Sequence, residues 1–281
     1  MKIIDAHIHY RPDYAPFAQV AAHSGHTYTK DGIRQMMEDN DICHAIVMGN
    51  FEPTVENHQY PPYLSFCVGL DSNVFQPQRA EEFLVQVEEN LKRPNCVGLK
   101  LYPGYNPFFV TDEIYTPFYQ LAEKYHKPVA IHTGAVASSK PGALLKYSHP
   151  LTLDELAVRF PDITFVMCHF GNPFLAEAAA VAEKNKNIIV DLSGILEGMF
   201  SPAPFMEENR FYVETVKMWL RYVGDYDRMV FGTDFPIVQV PSYIQFVKEL
   251  IPKEAWHKVF YENAVRVYGL RLEQREGCGR G

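Results

Sequence analysis

The first ten residues, "MKIIDAHIHY", place three polar side chains at alternating positions within an apolar run. These residues are Asp5, His7 and His9. Successive side chains of a β-strand point to opposite faces, so residues two apart share a face. If this run is a strand, its carboxylate and two imidazoles converge. Imidazole and carboxylate groups are the ligands that a Zn²⁺-like ion prefers, so the run predicts metal chemistry.

Four other apolar runs end in groups that can do chemistry: "GLKLYPG", "IHTG", "MCHFG" and "GTDFP". Their polar residues are Lys100, His132, His169 and Asp234. A catalytic metal site uses about three or four protein ligands and keeps one position open for water. The predicted ligands of one divalent ion are His7, His9, His132 and Asp234.

A metal ion at this position would lower the pKa of its bound water towards about 7 and polarise a substrate oxygen. His169 is then free for acid–base catalysis. A lone histidine at a strand end is usually a hydrogen-bonding residue, but four of the eight predicted strands end in ligand-type residues. An unpaired Asp234 in its apolar run would also be costly to bury. The ligand types favour Zn²⁺, and Mn²⁺ or Fe²⁺ fits the same groups.

Eight apolar runs predict the strands that position these residues. They are "KIIDAHIHY", "HAIVMGNF", "YLSFCVGLD", "CVGLKLYPG", "PVAIHTG", "ITFVMCHFG", "IIVDLSG" and "MVFGTDFP". Most are continuously apolar, which is typical of parallel strands covered on both faces. Segments of helical periodicity lie between them, and one, "LTLDELAVRFPD", predicts a capping box with Thr152 as the cap and Glu155 as its partner. The Pro-rich link "EPTVENHQYPP" predicts a degenerate helix.

Eight strands alternating with about eight helices over 281 residues predict the α/β class and a single (β/α)₈ TIM barrel. The barrel domain is predicted over residues 1–270, with an extra C-terminal helix in "PKEAWHKVFYENAVRVYGL". Residues 271–281 are polar and glycine-rich, so they predict a flexible tail. The active site of such a barrel lies at the C-terminal ends of the strands, where the polar residues above are found.

Composition narrows the classes of partner. The net charge of −8 comes without a basic stripe, which argues against nucleic acid and favours a small-molecule substrate. The five cysteines show no CxxC spacing and predict reduced thiols. No apolar run approaches the roughly 20 residues of a membrane span, and the first residues lack a signal peptide, so we expect no membrane association and a cytoplasmic location. The aromatic content permits a homodimer without demanding one.

The motifs "DAHIH", "GLKLYPG", "IHTG", "MCHFG", "GTDFP" and "FYENAVRVYGL" together resemble the amidohydrolase superfamily. The likeness is greatest to its branch of aminocarboxymuconate-semialdehyde decarboxylase-like proteins and their hydrolase relatives, and it spans residues 3–270. This resemblance implies a metal site at His7, His9, His132 and Asp234. It also implies that His169 activates water or polarises the substrate. In hydrolytic members the eighth-strand aspartate shuttles the proton, which implies a catalytic role for Asp234 as well.

Four further residues take roles beside this ligand set. Asp5 either orients a ligand histidine or has a structural role. Two-metal relatives carry a carboxylated lysine on the fourth strand, but we favour an uncarboxylated Lys100 that binds an anionic group or a carbonyl oxygen of the substrate. A structural pairing of Lys100 with a carboxylate is the alternative. Arg11 and Tyr102 are predicted to contact substrate, although an arginine in a first loop is as readily at the surface.

The function predicted first is a metal-dependent hydrolase that acts on a small amide, ester or lactone through metal-activated water. The alternative is a non-oxidative decarboxylase of a small unsaturated or aromatic acid, which would use the same ligands. A TatD-like nuclease is disfavoured. Such enzymes are similar in carrying a glutamate near the fourth strand, and this chain has Lys100 there. A binding protein without activity would require that the chain bind no metal.

Overall fold

The eight predicted strands form one parallel sheet in which they are neighbours in sequence order. A computed structural model describes residues 1–137 and 142–272. The strands are β1 (Ile3–Ile8), β2 (Ile42–Met48), β3 (Leu64–Leu70), β4 (Cys96–Leu101), β5 (Val129–Ile131), β6 (Phe165–Met167), β7 (Ile188–Asp191) and β8 (Met229–Val230). The Ala6 amide donates to the Phe231 carbonyl over 2.9 Å, and Ile8 bridges Phe235, so the sheet closes on itself. The predicted TIM barrel is confirmed.

Helices connect the strands and cover the barrel. They are α1 (Ala15–His23), α2 (Lys30–Asp39), α3 (Ala80–Leu91), α4 (Thr116–Lys124), α5 (Leu145–Ser148), α6 (Thr152–Arg159), α7 (Leu175–Lys184), α8 (Pro202–Glu208), α9 (Arg210–Val223), α10 (Val240–Leu250) and α11 (Asn263–Tyr268). The Pro-rich link between β2 and β3 contains only a 3₁₀ turn, Glu56–His58, as its sequence predicts. None of these helices combines the length and apolar character needed to cross a membrane.

Successive side chains of each strand point to opposite faces of the sheet, and the two faces contribute to two separate apolar clusters. On β6, Phe165 and Met167 belong to the larger cluster, which contains the buried faces of the helices. Val166 lies between them in the sequence and belongs to the smaller cluster, which fills the barrel lumen. Tyr268 and Leu270 join this smaller cluster. The predicted C-terminal helix is therefore present as α11, which continues from a π-helical turn at Lys258–Glu262.

The predicted capping box at the start of α6 is wrong. Thr152 is the first residue of the helix, and Leu151 occupies the cap position without a side-chain cap. The Thr152 hydroxyl donates to the His149 carbonyl over 2.8 Å, so it serves as a donor to the preceding turn and does not accept from the helix. Most of the predicted tail, residues 273–281, lies outside the described residues.

Candidate active site at the barrel mouth

A cavity of about 340 Å³ opens where the strands end. It is lined by His7, His9, Tyr14, Phe17, Asn50, Phe51, Asp71, Ser72, Asn73, Lys100, Tyr102, Tyr105, His132, Ala137, His169 and Asp234. Seven of the eight predicted site residues are in this set. The eighth, Arg11, is not. Its guanidinium carbon lies 3.8 Å from the centroid of the Phe51 ring, a cation–π contact with a residue that does line the cavity.

Three of the predicted metal ligands converge in the cavity. The Nε2 atoms of His7 and His9 lie 3.3 Å and 3.2 Å from Oδ1 of Asp234. The three ligand atoms lie within 4.8 Å of one another. Oδ1 of Asp234 is buried and has no hydrogen-bond partner among the described residues. Two imidazole nitrogens and a carboxylate oxygen that face each other without hydrogen bonds suit a shared divalent cation, so the residues fit a metal site.

A left-handed turn after β8 carries Asp234. Its φ of 60° is uncommon for a residue other than glycine and costs about 1–3 kcal/mol. Two contacts hold this backbone: the Asp234 amide donates to the His7 carbonyl over 2.8 Å, and Asp5 accepts from the Thr233 amide and hydroxyl over 2.9 Å and 2.6 Å. Among the described residues, the hydrogen bond between Asp5 and His7 comes from the His7 backbone amide, not from its ring. Of its two predicted roles, the structural one agrees with these contacts.

His7 of β1 and His9, which directly follows β1, each have a partner at Nδ1 that orients the ring. His7 Nδ1 lies 2.6 Å from the carboxylate of Asp191, and His9 Nδ1 lies 2.8 Å from Oδ1 of Asn50. A partner that accepts at Nδ1 leaves the Nε2 lone pair free for a metal ion. The sequence analysis missed both partners. Asp191 carries a usable signal, because it ends the apolar run "IIVD" as Asp234 ends its own.

His132 and His169 form a second pair beside the three converging residues. His132 Nε2 donates to the Ala135 carbonyl over 2.8 Å, and its Nδ1 lies 3.1 Å from His169 Nε2. His169 has a left-handed φ of 64°, and its Nδ1 is 3.9 Å from Oδ2 of Asp234. A Cβ at Gly194 would come within 2.6 Å of that nitrogen, so only glycine fits there. His132 as a fourth metal ligand remains a prediction.

Burial sets the protonation of the site. Desolvation lowers the pKa of His132 to about 3 and holds the pKa values of His7 and His169 well below the usual range. These imidazoles are therefore neutral, which is the form that binds metal. Burial opposes ionisation of Asp234, but the contacts of its carboxylate with His7 and His9 and the nearby charge of Lys100 lower its pKa below the ordinary value. Burial raises the pKa of Asp191 to about 7.

Lys100 lies on the cavity floor with 1% of its surface exposed. Its Nζ donates to Sγ of Cys168 over 2.9 Å and lies 5.3 Å from the centroid of the Tyr102 ring. Within the described residues Lys100 forms no ion pair, so no contact there supports its alternative role as a structural partner of a carboxylate, and its role in substrate binding remains a prediction. The Tyr102 hydroxyl donates to the Gly49 carbonyl over 2.8 Å. Its ring is left to line the cavity.

Comparisons with known proteins agree with this architecture. A family model described as Amidohydrolase matches residues 68–270. No curated protein matches the sequence. Among solved structures, an uncharacterized TIM-barrel protein from Bordetella bronchiseptica is 19% identical with a TM-score of 0.70, and the match covers 96% of this chain and 99% of that protein.

Two further structures are of proteins with a named activity. A 2,6-dihydroxybenzoate decarboxylase from Rhizobium is 14% identical with a TM-score of 0.68, and the match covers 96% of this chain and 99% of the decarboxylase. An amidohydrolase from Burkholderia multivorans with bound HEPES is 13% identical with a TM-score of 0.62, covering 96% and 100% of the two chains. At these identities the similarity shows a shared fold.

Proposed function

Because this chain belongs to the amidohydrolase family, we propose that it is a metal-dependent hydrolase that cleaves a small amide, ester or lactone. One observation carries the proposal. Nε2 of His7, Nε2 of His9 and the unpartnered Oδ1 of Asp234 converge on one point at the mouth of the barrel. Amidohydrolase-superfamily proteins generally bind divalent metal ions at this end of the fold.

The residues that would hold the ion are His7, His9 and Asp234, with His132 as the predicted fourth ligand. This histidine-rich set favours Zn²⁺. When bound, the ion supplies Lewis acidity and an activated water. The neutral imidazoles and the ionised carboxylate described above are the protonation states that such a site requires.

Asp234 is suited to move the proton of hydrolysis. Its Oδ1 faces His7 and His9, whereas its Oδ2 is turned towards His169, 3.9 Å away. The lowered pKa keeps the carboxylate ready to accept a proton from the attacking water and deliver it to the leaving group. His169 lies within reach of the same space, and its Nδ1 can accept a hydrogen bond from the attacking water.

The cavity wall supports a small, partly apolar substrate. Tyr14, Phe17, Phe51 and Tyr105 supply rings around the opening, and a volume of about 340 Å³ holds a small molecule. Lys100 and Tyr102 lie deeper, where they would contact the polar end of the substrate. The aromatic rings would exclude water from the reacting groups.

Decarboxylation is the second candidate because it would use the same ligands. A decarboxylase must hold the carboxylate of its substrate until CO₂ leaves. Among the described residues that line the cavity, Lys100 is the single lysine or arginine, and its Nζ already donates to Cys168. The split orientation of the two Asp234 oxygens serves hydrolysis directly, so the hydrolase is the better supported of the two.

An assay of metal-reconstituted protein tests the proposal. Protein stripped with a chelator and reloaded with Zn²⁺, Mn²⁺ or Fe²⁺ would be screened against aryl esters, lactones and amides, and in parallel for CO₂ release from aromatic and unsaturated acids. We expect hydrolysis by the zinc form, with Asp234→Asn reducing kcat/KM by about 10²–10⁴-fold. Asp162→Asn, at an exposed aspartate, is the matched control and keeps full activity. CO₂ release without any hydrolysis would overturn the proposal.

A further inference from the structure

Asn50 connects the end of β2 to the metal-site histidine His9. Its Oδ1 lies 2.8 Å from Nδ1 of His9, and its Nδ2 donates to Oδ2 of Asp71 over 3.2 Å. The same Nδ2 is 3.2 Å from the hydroxyl oxygen of Tyr102. The side-chain amide of Asn50 therefore faces the carboxylate of Asp71 on one side and the imidazole of His9 on the other.

Asp71 stands at the end of β3 with 4% of its surface exposed. Its Oδ2 accepts from the Asn50 side chain and from the Phe51 amide at 3.0 Å, and its Oδ1 accepts from the Asn73 amide at 2.7 Å. An ionised carboxylate accepts hydrogen bonds and donates none. Asp71 therefore requires the NH₂ group of Asn50 to face it, and this requirement turns Oδ1 of Asn50 towards His9.

The orientation of Asn50 decides which nitrogen of His9 carries the proton. An oxygen acceptor opposite Nδ1 requires a proton on Nδ1, and the Met48 carbonyl, 3.2 Å from the same nitrogen, favours the same tautomer. Nε2 then keeps its lone pair. It is Nε2 that lies 3.2 Å from Oδ1 of Asp234 at the metal site.

We propose that Asp71 and Asn50 are positioning residues that act in sequence, Asp71 on the Asn50 amide and the amide on His9, to present Nε2 of His9 to the metal ion. The inference rests on the proposed function, because it takes His9 as a metal ligand. It assigns roles to two residues at the ends of β2 and β3, strands that supply no metal ligand themselves.

His7 and His9 are oriented by different kinds of partner. Asp191 contacts His7 directly through a carboxylate, whereas a neutral amide stands between His9 and Asp71. A carboxylate partner raises the basicity of a ligand histidine more than an amide does. The contribution of His9 to metal affinity therefore depends on the orientation of Asn50.

The first test measures Zn²⁺ affinity without any substrate. Metal-free protein would be titrated with Zn²⁺ against a chromophoric chelator. Asn50→Leu removes the acceptor at similar size, and we expect its affinity to fall about 10–100-fold. Asp71→Asn frees the Asn50 amide from its enforced orientation, and a smaller loss of about threefold to tenfold is expected. Asn57→Leu, at an exposed asparagine in the same connection, is the matched control and leaves the affinity unchanged.

The second test reads the tautomer directly by ¹⁵N NMR of the imidazoles in the wild-type, metal-free protein, with His9 assigned from His9→Gln. We expect the proton on Nδ1, and a shift towards the other tautomer in Asn50→Leu. A proton on Nε2 in the wild type overturns the proposal even if the leucine variant fails to fold. Unchanged Zn²⁺ affinity in a folded Asn50→Leu protein also overturns it. If the wild type binds no Zn²⁺, the proposed function fails, while the tautomer still reports on the orientation of His9.

Discussion

The two ends of the barrel lumen are built from the same strands and have opposite character. At the lower end Ala130 of β5 and Ile189 of β7 belong to an apolar cluster. One step further along the same face, these strands present His132 and Asp191, which are buried and polar. A distance of two residues along each strand therefore separates a side chain that packs in the apolar cluster from one that belongs to the polar site. The barrel can carry a costly set of buried polar groups because the apolar end stabilises it independently.

Burial of the polar groups at the upper end has a measurable cost. Desolvation raises the pKa of Asp5 and of Asp191 to about 7, far above the ordinary value of an aspartate. Desolvation also lowers the pKa of His132 to about 3. Ionised forms of these residues are thus disfavoured by the fold. The comparison predicts that substitutions at the apolar lower end of the lumen reduce the free energy of unfolding. Substitutions at the polar upper end are expected to change the chemistry of the site with little loss of stability.

The largest effect on stability is expected at the lower end. Ile46 of β2 is fully buried in the lumen cluster. Ile46→Ala removes packed methyl groups and leaves a cavity, so we expect the free energy of unfolding to fall by about 2–5 kcal/mol. Urea denaturation of the metal-free protein would measure it. A loss below about 1 kcal/mol would show that the lumen packing does not support the mouth.

A buried histidine away from the mouth separates the cost of burial from the chemistry of the site. Burial lowers the pKa of His58 to about 4, below the 6.5 of the unfolded chain. The unfolded state therefore binds more protons between pH 4 and pH 6.5, and the contribution of His58 to stability is lost as the pH falls through this window. We expect a loss on the order of 2 kcal/mol, which His58→Asn removes.

Denaturation curves at pH 4.5 and pH 7 would measure this dependence of the free energy of unfolding on pH, here called the pH slope, in the metal-free protein. His257→Asn is the control, because the side chain of His257 is 61% exposed and lies outside the core. The variant at His257 keeps the wild-type slope. If His58→Asn keeps it too, burial of His58 does not govern the acid sensitivity of the fold.

At the upper end, His132→Ala should be nearly neutral for the metal-free fold. The substitution removes a desolvated ring whose Nε2 donates to a backbone carbonyl, so we expect less than about 1 kcal/mol of lost stability. Metal binding should suffer instead, but less than in His9→Ala, because His132 stands outside the group formed by His7, His9 and Asp234. Elemental analysis of both variants would check this order. Full metal content in His9→Ala would contradict the ligand assignment.

The smallest effect on stability is expected at Lys100. Its buried Nζ contacts Cys168 without an ion pair, and methionine has a similar length, so Lys100→Met should change the free energy of unfolding by about 1 kcal/mol or less. Metal content per chain should stay the same. A variant that loses half of a two-metal content would show that Lys100 bridges two ions, and a loss of several kcal/mol would break the contrast between the two ends.

The alternation of strand residues explains why much of the fold and part of the site could be predicted. Apolar runs, most of them continuous, predicted all eight strands, and spacing by two brought His7 and His9 to one face. The same rule marks Asp191, but a carboxylate at a strand end does not show from sequence whether it binds an ion or orients a histidine. Asn50 and Asp71 act through side-chain hydrogen bonds, which no periodicity records.

Other placements depend on backbone conformations that residue type disfavours. β6 ends at Met167, and His169 reaches the cavity through a left-handed φ of 64°. Asp234 adopts a similar conformation with a φ of 60°. L-residues rarely adopt this region, so tertiary contacts impose it and a local sequence pattern cannot predict it. Arg11 is not among the residues that line the cavity. Its guanidinium contacts the Phe51 ring, and a local sequence pattern does not predict such a tertiary contact.

Tyr268 at the end of α11 and Leu270 just beyond it close the lower lumen. They therefore block passage of molecules through the barrel from that end. With that end filled, a substrate must enter and its products must leave through the same opening. Product remaining in the cavity would therefore compete with incoming substrate. Under the proposed hydrolysis a substrate would enter with its reactive carbonyl leading, and its trailing end would lie beside Tyr14 and Phe17, which line the cavity. Variation in substrate structure is consequently best tolerated at that trailing end.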